Sequence, residues 1–303
     1  MTVQVIDAMT RRGFLTSLMI GSCAGCSAQS DALKEELLEL HRRSGLSVAD
    51  FRPGSLGELI LFPMAADPRV VVQFPKGLST FRFASDGRHI VATNTSEILL
   101  LTLDGGIIKR VPGKLRFEGI AVAEDLDQIV IRANASGLQA EDSVRFYLGR
   151  LSSGLDVKPF IEAAYEKRTK FSISPNGKEV VFGLGGQIRI LNRTSGIIRS
   201  ITDGEDPMWD PNGEWISFHS KDAKAMLYHL GSEEIKPILS GARVEDPLIW
   251  SPDSQYLLYC DTASFGLLAS RFRVYRVRDG VSTRLFDAMD LSTRSFGWVY
   301  APT

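Results

Sequence analysis

Cysteine is scarce in this chain of 303 residues: there are three, and two of them, Cys23 and Cys26, lie in the N-terminal segment. Only Cys260 remains for the body, so no internal disulfide can staple it and a packed core must hold it together. Cys260 closes the apolar run Tyr256-Leu257-Leu258-Tyr259 and reads as a small buried hydrophobe rather than a nucleophile. Histidine is as sparse. His41, His89, His219 and His229 stand far apart at non-equivalent places, which leaves no ligand set for a metal. Excess charge is missing too: with a formal net charge of -1 and Lys and Arg scattered among Asp and Glu, no phosphate-binding stripe forms and no nucleic-acid partner is expected. There is no Gly-rich phosphate loop, no Gly-x-Ser-x-Gly elbow and no His-Glu-x-x-His pair, so no catalytic residue, metal or cofactor is assigned.

What the chain does have is a repeated turn. Ser85-Asp86-Gly87, Ser174-Pro175-Asn176-Gly177, Asp210-Pro211-Asn212-Gly213 and Ser251-Pro252-Asp253-Ser254 each follow one short apolar run and precede another. A degenerate copy at Asp125 and a truncated one at Tyr300-Ala301-Pro302-Thr303 complete a series that recurs roughly every forty residues. Such a period means stacked units. Pro presets the turn, and Asn-Gly accepts the positive backbone angles of a tight hairpin.

The unit after Lys170 shows the content of a repeat: Phe171-Ser172-Ile173, Val180-Val181-Phe182, Ile188-Arg189-Ile190 and Ile197-Ile198-Arg199 read as four short strands. The next two units repeat this, from Met208-Trp209 to Ile238 and from Leu248-Ile249-Trp250 to Phe286. Four antiparallel strands per forty residues is the content of a propeller blade. The turns after aromatic-ended strands, Trp209-Asp210-Pro211-Asn212-Gly213 and Trp250-Ser251-Pro252-Asp253, resemble the blades of TolB-like propellers. That resemblance covers residues 57–303 and implies an all-β, six-bladed β-propeller. No blade ends in the Trp-Asp pair of WD repeats.

Closure supports the count. Phe296 to Pro302 looks like a first strand with its turn cut off, while Leu59-Ile60-Leu61-Phe62 and Val70 to Phe74 precede the first complete blade as a third and fourth strand would. Strands from the two chain ends therefore share one blade and close the ring, removing an open sheet edge. Its second strand comes from Val48 to Arg52, or the blade has three strands. A short amphipathic helix is expected over Asp31 to Gly45, with Leu33, Leu37, Leu40 and Leu38 at helical spacing, in a linker spanning 26–56.

Residues 1–25 read as an export signal by their three-part layout. Arg11-Arg12-Gly13-Phe14-Leu15 resembles a twin-arginine signal. The apolar run Phe14 to Ile20 is far shorter than the roughly 20 residues of a membrane-spanning helix. Ile20-Gly21-Ser22-Cys23 resembles a bacterial lipoprotein processing site, which implies lipidation of Cys23; Ala24-Gly25-Cys26 is the less favoured alternative, and an ordinary cleaved signal remains open. These features imply a periplasmic or cell-surface protein held to the membrane by an N-terminal lipid.

Glu205-Asp206-Pro207 and Glu245-Asp246-Pro247 each precede a first strand, so their carboxylates are expected at one mouth of the central channel. They form a candidate rim for a basic segment or a cation, against the plainer reading of solvated loops; Lys170 and Arg294 at matching places make the rim mixed in charge. The family resemblance implies binding of a protein or peptide partner at the channel face, although the large N-terminal domain of TolB is missing. Two other functions stay in view. One is a hydrolase or lyase acting on an extracellular polymer, and the other a carbohydrate-binding module using Trp209, Trp250 and Trp298, for which core packing is the favoured role.

Overall fold

The computed structural model describes residues 24–52, 58–62, 69–73, 78, 80–94, 97–112, 116–134, 143–164, 170–238, 248–262, 269–289 and 295–300. After a helix, α1 (Ala24–Ser44), come β1 (Leu46–Arg52), β2 (Glu58–Phe62) and β3 (Arg69–Gln73). Then follow β4 (Thr80–Phe83), β5 (His89–Thr93), β6 (Glu97–Thr102) and β7 (Ile107–Pro112); β8 (Arg116–Val122), β9 (Gln128–Asn134), β10 (Ser143–Arg150) and β11 (Gly154–Ala164). Next are β12 (Phe171–Ile173), β13 (Glu179–Leu184), β14 (Gln187–Asn192) and β15 (Ile198–Asp203); β16 (Glu205–Trp209), β17 (Trp215–His219), β18 (Ala225–His229) and β19 (Ile235–Pro237). The chain continues through β20 (Ile249–Trp250), β21 (Tyr256–Thr262), β22 (Ala269–Arg276) and β23 (Ser282–Met289), and its last strand is β24 (Ser295–Tyr300).

These strands form an all-β propeller. Five four-stranded sheets, β4–β7 through β20–β23, are antiparallel blades contiguous in the chain, and a further four-stranded sheet has the order β24-β1-β2-β3. The second strand of this composite sheet is β1, paired on one side with β24 (Val48 opposite Trp298) and on the other with β2 (Val48 opposite Phe62). The sheets thus begin ahead of residue 57, because the segment after the helix is drawn into the pairing that joins the chain ends.

The core is divided among the sheet interfaces, and its six clusters trace a ring. Val91 and Ile98 meet Ile120 and Ile131; Val130 and Phe146 meet Phe171 and Phe182; Val181 and Ile188 meet Trp209 and Phe218; Leu227 meets Trp250 and Tyr259. The composite sheet completes the circuit on both sides, Ala49 and Val299 packing on Phe81 and Ile90, and Val48 and Trp298 on Tyr256 and Leu258. Cys260 is buried in this last interface and forms no disulfide.

Turn chemistry explains why every blade reverses where it does. Asp86, Asn176, Asp210 and Asp253 each accept backbone N–H bonds from the residues after the turn, and Ser174 and Ser251 close it with a further bond at 2.9 Å. The degenerate second copy folds likewise: Asp125 accepts from the N–H groups of Asp127 and Gln128, and Leu126 takes the left-handed conformation at φ 55 that Gly87, Gly177 and Gly213 take in other copies.

Helix α1 starts at Ala24 rather than Asp31, since Ala24 to Ser30 contains small residues and no proline to stop helical propagation. Gly45, at φ 71, ends it with its N–H on the His41 carbonyl. Leu33 and Leu37 are buried in the interface between the composite sheet and the β20–β23 blade. Beside them Glu36 accepts bonds from the Tyr256 hydroxyl and the guanidinium groups of Arg276 and Arg278, and Ser30 meets Thr283 at 2.9 Å. The helix is therefore part of the body and seals one of its seams.

Two stability measurements check this account. Leu37→Ala should lower the free energy of urea unfolding by about 2–4 kcal/mol and expose residues 24–44 to protease before the body unfolds. Gly213→Ala, at φ 76 with ordinary space around it, should cost about 1 kcal/mol, the price of left-handed backbone for a residue with a Cβ.

Candidate functional site

Alternation along the first strand of each blade decides which side chains face the ring axis. The pair nearest the turn is Phe83–Ile90, Val122–Ile129, Ile173–Val180, Trp209–Ile216 or Trp250–Leu257, so Arg82, Ala121, Ser172, Met208 and Ile249 occupy one equivalent layer. Each of these is half-buried, and Ser172, Met208 and Ile249 stand between buried neighbours, which is the pattern of a position facing the channel. With Phe296, Gly297 and Trp298 from β24, they line a central cavity of about 120 Å³.

The tryptophans expected at first-strand ends are buried, which removes their ring faces from sugar stacking. Trp298 Nε1 donates to the Ile249 carbonyl at 3.1 Å and Trp250 Nε1 to Ser217 Oγ at 3.0 Å. Trp209 Nε1 has no partner. Its blade packs against Val181, which occupies the register position that Ser217 holds one blade later.

At the end of the channel away from the turns, β16 enters with a bulge between Glu205 and Met208. Gly204 makes the entry possible: at φ 154 its α-carbon lies so close to β17 that a Cβ would stand 2.5 Å from the His219 carbonyl. Asp206 follows at φ 55, a strained angle for a residue with a side chain. The strain turns its carboxylate onto Lys170 Nζ, at 2.7 Å, and toward His219 Nδ1, at 3.7 Å. Lys170 belongs to the preceding blade, so the contact ties two blades at the mouth. Burial pushes the Asp206 carboxyl up, but the His219 imidazole close by and the Lys170 charge outweigh it and hold the group below the usual carboxylate range.

The expected acidic rim is thus only partly visible. Asp206 is paired and nearly buried, Glu205 is exposed, and Glu245, Asp246 and Arg294 lie outside the described residues, as do Arg11, Arg12 and Cys23. Cys26 falls in the first turns of α1. The mouth carries cations that the motif search did not single out. Arg132 stands where His219 stands two blades later, each on a second strand, and Arg82 projects from the channel layer. Burial first, then the like charge of Arg132, hold the Arg82 guanidinium below its ordinary range, with Asp206 acting in the opposite sense. A readable signal existed for Arg82: it is the fourth residue before the turn acid Asp86, where the other complete copies have Ala, Ser, Met and Ile.

Among the described residues, no three His, Cys, Asp or Glu side chains gather as a metal-ligand set, and no helix is long and apolar enough to cross a membrane.

No family model matches the chain, and no curated protein matches it. Solved structures do. A putative TolB from Agrobacterium tumefaciens is similar at a TM-score of 0.55 and 17% identity, over 85% of this chain and 99% of that one. TolB from Acinetobacter baumannii gives 0.59 and 14%, over 84% of this chain and 66% of that one. An oligogalacturonate lyase in complex with manganese gives 0.53 and 10%, over 75% and 70% of the two chains. Likeness at such low identity establishes the propeller fold.

The electrostatic tie at the mouth has a pH signature. Because the folded Asp206 carboxyl is held low, its contribution is present above the unfolded value near 3.9 and is lost as pH falls through the folded value. Asp206→Asn should cost about 1–3 kcal/mol at pH 7, and the gap to wild type in urea titrations should shrink below about pH 4.

Proposed function

We propose that this chain is an exported, lipid-anchored propeller that binds a protein or peptide segment at one mouth of its channel. The observation that carries the reading is the channel itself: all six sheets contribute to its wall, yet its cavity of about 120 Å³ is far below the roughly 300–1,000 Å³ of pockets that enclose small molecules. Such an opening suits a side chain presented by a larger partner. The resemblance of the repeated turns to TolB-like propellers implies the same class of role. A lyase role has the fold likeness to oligogalacturonate lyase behind it and no assembled catalytic set among the described residues to add to it.

Export and anchoring rest on Arg11-Arg12 and on Cys23, with Cys26 as the alternative acceptor. Docking of α1 on the ring fits this arrangement. A chain lipidated at Cys23 enters the helix at the next residue, and the helix holds the body close to its anchor. The composite sheet serves as the sixth blade of the ring, which keeps the channel walls fixed when one mouth is loaded.

Crosslinking pull-down from membranes of the source organism tests the reading. Wild type should fractionate with membranes and enrich a specific protein, and Cys23→Ala should shift most of the chain to the soluble fraction. If neither Cys23→Ala nor Cys26→Ala releases the chain and no partner is enriched, the anchored-binder reading fails on both counts.

A further inference from the structure

Five large apolar side chains stand exposed among the described residues, and all five fall at one topological place. Ile107 and Ile108 open β7, Ile197 and Ile198 stand at the start of β15, and Ile235 opens β19. Each group follows the turn between the third and fourth strands of a blade. That turn lies at the same end of the ring as the repeated turn: the N–H of Arg193 donates to the Lys178 carbonyl at 2.9 Å, that of Leu230 to Glu214 at 2.9 Å and that of Val277 to Gln255 at 3.0 Å. Single exposed hydrophobics are ordinary on a protein surface, but their confinement to one outer margin is not.

The β20–β23 blade shows how such a margin is covered. Arg276 N–H donates to the Val281 carbonyl as Asn192 N–H does to that of Ile197, so Val281 and Ile197 are equivalent. Val281 packs on the cluster that holds Leu33 and Leu37 of α1, and fully buried Thr283 meets Ser30 at 2.9 Å. Helix α1 therefore lies over this margin of one blade, and those of β4–β7, β12–β15 and β16–β19 stay open.

Two facts choose the occupant. The open margins belong to blades on opposite sides of the ring, since two sheets separate β4–β7 from β16–β19 in either direction round the circuit. One helix or loop of a partner cannot reach both, whereas a flat surface meets them together. The other fact is where α1 comes from. Ala24 precedes Ser30 by about 9 Å along the helix, so an acyl chain on Cys23 enters a bilayer close beside this end of the ring.

Resting on the lipid-anchored reading above, we propose that this end of the propeller lies face down on a lipid bilayer, with the isoleucines of three blades dipping into the headgroup boundary. Apolar contact drives it. The charges nearby are mixed, Lys109, Arg199 and Lys236 against Asp104, Glu233 and Glu234, so the contact needs no anionic lipid and weakens little with salt. By itself it is weak; tethered, it sets the orientation of the body. The posture turns the opposite mouth, at Lys170, Asp206 and His219, toward solvent, where a protein partner meets it.

Sedimentation with sucrose-loaded phosphatidylcholine vesicles tests this on the full chain carrying Cys23→Ala and Cys26→Ala, which removes acylation. That parent chain should bind, and adding Ile108→Ser, Ile198→Ser and Ile235→Ser together should lower its partition at least ~10-fold. All three side chains are exposed, so the melting temperature should hardly move. Ile198→Trp should add emission that shifts to the blue with vesicles and is quenched by brominated lipid, whereas Asp222→Trp, on an exposed turn at the far end, should do neither. The proposal is overturned if the parent ignores vesicles, if the triple variant partitions as the parent does, or if Asp222→Trp reports lipid in place of Ile198→Trp. It is overturned too if light scattering finds an oligomer that the triple variant dissolves, which makes the margin a contact between copies. Failure here is separable from failure of the broader reading. Release from membranes by Cys23→Ala beside unchanged vesicle binding of the triple variant sinks only the face-down posture, whereas margin-dependent vesicle binding with no release by either cysteine variant sinks only the anchor.

Discussion

The pairing of β1 with β24 is the constraint on which the rest of this structure depends. A propeller sheet stacks on its neighbours through both faces, so a ring with one seam unmade would leave two apolar faces bare. Here the seam is made by backbone hydrogen bonds between the chain's two ends, from Leu46 opposite Tyr300 to Phe51 opposite Ser295. Packing then follows on both sides, at Val299 against Phe81 and at Trp298 against Tyr256. Helix α1 covers the second of these seams, and Glu36 adds bonds that reach from the helix to the sheet. Without the closed ring the channel has no wall.

The seam also explains why so much of the fold was legible. A repeat protein writes its architecture many times over, so a turn misread in one blade is corrected by the others. Asp125 is the instructive case: its copy lacks both Pro and Gly, yet the aspartate alone nucleates the turn by accepting two N–H bonds, and Leu126 bears the left-handed angle. The length of α1 was harder to read, because Ala24 to Ser30 shows no apolar periodicity and its helicity extends from the docked turns around Leu33 and Leu37.

The candidate site was legible in position but not in character. Placement of Glu205 and Asp206 before a first strand follows from counting back from the turn. What counting does not show is the bulge. Asp206 turns inward because Gly204 lets the chain press against β17 and because the preceding blade offers Lys170, a residue far away in sequence. Partners fixed by tertiary contact are invisible to a motif search. Arg82 is the opposite case, since its place four residues before Asp86 is explicit once the copies are aligned, although one basic residue in a strand resembles no motif by itself.

Trp209 and Arg82 show where a repeat departs from what its scaffold needs. Where Trp250 finds Ser217, Trp209 faces the blade that carries Val181, and its indole N–H goes unpaired. Where other blades place Ala, Ser, Met or Ile in the channel, one places a guanidinium. Both depart from a pattern that the remaining blades keep, and both carry a cost in buried polarity. Core packing gives no reason to retain either one. Arg82 differs from Trp209 in facing the channel rather than an interface, and the charges of Arg132 and Asp206 both act on it. The stability of the ring is what allows such a residue to be kept: the strand that bears it, β4, pairs with β5 and packs against β8 and β24, so the cost of one buried cation is spread over the closed ring.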